Sequence, residues 1–98
     1  MIGTVFEHHS RTHGYHKWVV IKDVNDSKYC ICAIICSKQS THSIKILPNK
    51  CDSVRKVSFI QFDNLLSIKK ETIIKNKTEL LCSSLLNELK IRINKFFK

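Results

Sequence analysis

Apolar and polar positions alternate along the first two thirds of the chain and switch to a helical period near its end. "IGTVF" (2–6) is a short β-type run, followed by a polar stretch from Glu7 to Lys17 that reads as a loop and holds four of the five histidines. Trp18 to Lys22 forms a second strand, closed by the turn residues of "DVNDS" (23–27). "KYCICAIICS" (28–37) follows as a third strand, and the two predict a hairpin. This third strand is apolar on both faces, with Tyr29, Ile31, Ala33 and Ile35 on one and Cys30, Cys32, Ile34 and Cys36 on the other. Both faces therefore require cover. "HSIKIL" (42–47), "SVRKVSFIQF" (53–62) and "LLSI" (65–68) add three strand candidates, the last two separated by Asp63 and Asn64.

From Thr78 onward, Leu81, Leu85, Leu89 and Phe96, flanked by Cys82, Leu86 and Ile93, form a broad stripe at helical spacing. Thr78 and Glu79 suit its amino-terminal end, which predicts a helix over about 78–97 lying on the sheet. Five to six short strands and one terminal helix predict a mainly β fold: a small curled, SH3-like β-barrel with a packed terminal α-helix. The length of 98 residues suits one domain over 1–98, and neither a repeat nor a low-complexity linker divides it.

Charge changes the picture more than composition does. Lys and Arg number 17 against 8 Asp and Glu, a formal +9, and such a field attracts polyanions. Nucleic acid is the first partner this implies; a generally Lys-rich proteome would give the same balance. No apolar run approaches the ~20 residues of a membrane span, and "MIGTVFEHHS" lacks the features of a secretory signal. A cytoplasmic location with reduced cysteines is expected, and the odd count of five argues against a disulfide framework.

Cys30, Cys32 and Cys36 lie two and four apart on a strand, unlike the knuckle spacing of structural zinc sites, and read as core, as do the isolated Cys51 and Cys82. A zinc site would recruit His8, His9, His13 or His16, but "HHSRTHGYH" (8–16) offers no acidic or cysteine partner at matching positions. No metal or other cofactor is expected. His16 stands out by placement, at the junction of a polar segment and an apolar strand. Ribonuclease chemistry without metal needs a base for the ribose 2′-hydroxyl, an acid for the leaving 5′-oxygen and stabilisation of the crowded phosphorane. His16 suits the proton transfers. Lys17 or Arg11 can hold phosphate, and Ser37, Ser40, Thr41 and Ser43 can donate hydrogen bonds to it, although "SKQSTHS" (37–43) reads equally well as a plain turn.

The order of these features resembles the MazF/PemK family of toxin endoribonucleases. "IGTVF" resembles the family's Gly-containing first strand, "GYHKWVVI" (14–21) its Arg-Pro segment and aliphatic strand, and "AIICSK" (33–38) its A-P-I-T-S-K segment. "IQFDNLLSI" (60–68) is similar to its Asp-Gln strand, and the terminal helix matches in place. Two positions depart from the pattern. His16 and Lys17 stand where the family has Arg and Pro, and Cys36, followed by Ser37, stands where it has a catalytic Thr; a one-residue shift puts Lys17 or Ser37 in register instead. The resemblance implies a metal-independent endoribonuclease cleaving single-stranded RNA, a homodimer, and an acidic antitoxin protein as partner. It makes the segment from Glu7 to Lys17 an active-site loop. His16, Lys17 and Ser37 are then the catalytic candidates, with Arg11, Tyr15, Lys38, Ser40 and Thr41 as RNA contacts. Stacking of a base on Tyr15, Trp18 or Phe6 competes with a core role for each. The alternative is a non-catalytic basic barrel that binds nucleic acid or inhibits a nucleic-acid enzyme.

Overall fold

In a computed structural model, residues 1–48 and 55–97 are described. The elements run β1 (Thr4–Ser10), β2 (Gly14–Asp23), β3 (Tyr29–Cys36), β4 (Ser43–Ile46), β5 (Ser58–Lys69), α1 (Lys70–Asn76), β6 (Lys77–Leu80) and α2 (Ser83–Phe96). The six strands form one antiparallel sheet in the order β4-β5-β3-β2-β1-β6, curled into a half-barrel. The fold is thus mainly β with a carboxyl-terminal helix, as the pattern predicts.

The doubly apolar β3 explains the layering. Ala33 and Ile35 join Val5, Val19, Ile60 and Phe62 on one face, where Leu81, Leu85 and Leu89 seal them from water. Cys30, Cys32 and Ile34 face the other way and pack with Phe6, Trp18, Val20, Ile68 and Ile73 of α1. Burial pushes the Cys32 thiol far up and, first among several causes, raises that of Cys30, so both behave as small apolar groups. Cys36 is only half-buried, against the core role expected for it, and Cys51 lies outside the described residues.

Gly3 ties the helix to the sheet. Its φ of +87° favours glycine, and an added Cβ would also push against Leu86 Cδ1. Its N–H donates to the Val20 carbonyl and its own carbonyl accepts from Leu81 N–H.

Three expectations need correction. The segment from Glu7 to Lys17 is a hairpin instead of a loop: His8 pairs with His16, His9 with Tyr15 and Ser10 with Gly14. Only Arg11, Thr12 and His13 connect the strands, closed by Gly14 at φ +71°. Polar side chains on both faces of this ribbon hide its period from a hydrophobic pattern. The strand candidates at 53–62 and 65–68 are one strand, β5, whose register shifts opposite Ala33 and Ile34 so that Phe62, Asp63 and Asn64 form the irregularity; residues 53 and 54 lie outside the described residues.

The terminal helix also begins later than Thr78. Lys77–Leu80 pairs instead with the open side of β1, and α1 precedes it. Leu81 keeps its place in the apolar stripe from a position just before the helix. With Leu86 it occupies the two positions of a hydrophobic staple around Cys82, the residue at the helix cap.

Candidate nucleic-acid cleavage site

Helix α1 has seven residues, a length of about 10 Å, and covers only part of its face of the sheet. Beyond Trp18 that face continues through His8, His16 and Cys36, which alternate with the core positions but lie past the helix. In addition, β3 stops at Cys36 while the β1–β2 ribbon runs on through His16, Tyr15 and Gly14. The departure of β3 leaves a notch beside β2. Neighbouring residues His16 and Lys17, whose side chains alternate across the sheet, both border it.

Two adjoining clefts occupy this region. The first, of about 490 Å³, is lined by His16, Lys17, Cys36, Ser37, Arg55 and Lys56, among others. The second, of about 610 Å³, shares His16, Cys36 and Ser37 and adds His13, Lys38, Ser40, Gln61 and Asn64. The three residues expected to be catalytic therefore line one cleft, and Lys38 and Ser40 line its neighbour. Arg11, Tyr15 and Thr41 line neither.

Strand alternation explains the position of Tyr15, which points to the face opposite His16. Its hydroxyl donates to the Glu7 carboxylate, and this bond raises the phenol above its ordinary value. Trp18 and Phe6 are fully buried and offer no stacking surface, although Trp18 meets the rings of His8 and His13 edge-on at 6.3 and 5.9 Å.

The irregularity in β5 fixes the segment that carries Ser37, Lys38 and Ser40. The buried Gln61 donates from Nε2 to the Lys38 carbonyl at 2.7 Å, and Asn64 Nδ2 donates to Gln61 Oε1 at 2.8 Å. Asp63 accepts the His42 backbone N–H at 3.2 Å and lies 3.1 Å from its Nδ1. The Ser40 hydroxyl first, then the His42 N–H, hold the Asp63 carboxyl below its ordinary value. Cys36 Sγ adds a weak contact to the Lys38 carbonyl at 3.6 Å.

Sequence reasoning overlooked Arg55, Lys56, Gln61 and Asn64 as site residues and weighed His13 only as a metal ligand. Arg55 and Lys56 arrive from some twenty residues away when the chain returns into β5, beside Cys36 through the Cys36–Phe59 pair. Nothing local marks them. The amides of Gln61 and Asn64 were legible as polar breaks in an apolar strand.

Among the described residues no group of three or more His, Cys, Asp or Glu side chains is arranged to hold a metal ion, and no helix is long and apolar enough to cross a membrane. A scan against protein-family models and a search of curated proteins each return no match.

Proposed function

We propose that this protein is a metal-independent endoribonuclease of MazF/PemK type that cleaves single-stranded RNA at the notch beside β2. The observation that carries the reading is the convergence of His16, Lys17 and Ser37 with Arg55 and Lys56 on one cleft. An imidazole, three cations and a hydroxyl are the groups the reaction needs. His16 takes the proton of a ribose 2′-hydroxyl as that oxygen bonds to the adjacent phosphorus. The P–O5′ bond breaks, and the leaving 5′-oxygen is protonated; His13, on the adjoining cleft, is the second imidazole available for that transfer. Lys17, Arg55 and the Ser37 hydroxyl stabilise the charge that builds on the non-bridging oxygens. The products are a 2′,3′-cyclic phosphate and a 5′-hydroxyl.

On this reading the protein is the toxin of a toxin–antitoxin pair, acts in the cytoplasm as a homodimer and is neutralised by an acidic partner protein. The test compares wild type with His16→Ala on a long single-stranded RNA. Wild-type cleavage that is lost in a variant with an unchanged melting curve supports the assignment; equal cleavage by both removes His16 from the mechanism. If both bind RNA with strong salt dependence and neither cuts it, the same basic cleft describes a binding module.

A further inference from the structure

We propose a stacking subsite for the same RNA strand at the carboxyl-terminal end of α2, built from the rings of His42 and Phe96 and the cations Arg92 and Lys95. It rests on the reading that single-stranded RNA occupies the notch. A cavity of about 310 Å³ is lined by these four residues and Phe62. Phe96 is 39% exposed and is held from below by the buried Phe62, with centroids 5.4 Å apart. His42 meets Phe96 at 6.0 Å and 67°. Two aromatic rings of different orientation thus share a small cavity at the surface.

The polar groups select the ligand class. Arg92 contributes one N–H, at a long 3.4 Å, to the Ser43 carbonyl, and a guanidinium carries five donors. Lys95 adds a second cation. Asp63, bound to the cavity-lining His42, is engaged by His42 and Ser40, and Glu88 lies one helical turn before Arg92. A flat ring joined to an anion fits this set, and a nucleotide is such a ligand: the base stacks on Phe96 or His42 while the phosphate meets Arg92 and Lys95.

Position decides between a nucleotide and an acidic peptide with an aromatic side chain. Ser40 lines the second cleft and His42 lines the cavity, and with one residue between them their Cα atoms lie at most about 7 Å apart. Asp63 binds both residues, so cleft and cavity are built on one braced segment. A strand leaving the cleft past Ser40 reaches the cavity next.

The test uses the full chain and two single-stranded RNAs with the same cut site, one minimal and one extended by several nucleotides on both sides. Affinity is measured with His16→Ala protein, which keeps the RNA whole, and kcat and KM with otherwise wild-type protein. The extended RNA is expected to bind more tightly than the minimal one. Phe96→Ala should weaken it by about tenfold, mostly in KM, while leaving the minimal RNA unchanged. Phe96→Trp should restore the difference.

Because Phe96 also packs on Phe62, a second variant, Arg92→Gln with Lys95→Gln, keeps the ring and should weaken the extended RNA selectively. Equal affinity for both RNAs in His16→Ala protein, or the same loss for both when each variant is added to it, would overturn the subsite. Cleavage without any dependence on Phe96, Arg92 or Lys95 strikes the subsite alone. Phe96-dependent preference for the extended RNA without cleavage supports it and strikes the catalytic reading alone.

Discussion

His16 is placed by a parity rule: in a strand, one residue of shift moves a side chain to the other face. Trp18 and Val20 point into the core under α1, so His16 points the same way where the helix no longer reaches. The same rule sends Tyr15 to the opposite face, where Glu7 takes its hydroxyl. The shared position of His16, Lys17 and Ser37 was legible because each flanks an apolar run that fixes it; the face that Tyr15 takes was not, because the ribbon's period is invisible in polar residues.

Two predictions belong to single side chains. With His16 and His13 as the proton-transfer groups, His13→Ala should lower kcat/KM by about a hundredfold while leaving RNA affinity unchanged. Stopped-assay rates and RNA titrations check this, and a wild-type rate in the variant would remove His13. The second concerns Asp63. Its carboxyl is held below the ordinary value of about 3.9, so its contribution to stability is present above that value and is lost as pH falls through the lowered folded value. Urea melts below pH 4 should therefore show a shallower acid loss in Asp63→Asn than in wild type, and superimposable profiles would contradict the bracing role.

At the scale of elements, the β5 irregularity is the device that turns a strand into a support for the 37–42 segment. A regular strand would send alternate side chains to opposite faces. Here Gln61 and Asp63 both bind that segment, and Asn64 holds the Gln61 amide. Gln61→Ala removes the donor to the Lys38 carbonyl and the acceptor of the Asn64 amide, and unfolding free energy should fall by about 1 kcal/mol. Equilibrium denaturation measures it, and a change below about 0.5 kcal/mol would show that solvent replaces the bond without cost.

The layering on β3 was readable because its two apolar faces demand two covers. The elements that supply one of them were not. Helix α1 is short, with Ile73 as its buried residue, and β6 exists because the outer side of β1 needs hydrogen-bond partners, a long-range demand that the helical spacing of Leu81, Leu85 and Leu89 conceals.

For the whole molecule the formal charge of +9 gives attraction, and the fold gives that attraction a place. Lys17, Lys38, Arg55 and Lys56 surround the two clefts at the notch. If each meets a phosphate, the logarithm of RNA affinity should fall with the logarithm of salt concentration at a slope near about −3. Lys56→Gln should reduce the slope by just under one unit, whereas an unchanged slope would place the RNA elsewhere on the basic surface.

The most direct measurement is incubation of purified wild-type protein with a long single-stranded RNA in excess EDTA, with mapping of the new ends. The account predicts discrete cuts carrying 2′,3′-cyclic phosphate and 5′-hydroxyl termini. Intact RNA at high concentrations of folded protein, or cuts with 5′-phosphate ends, would contradict it.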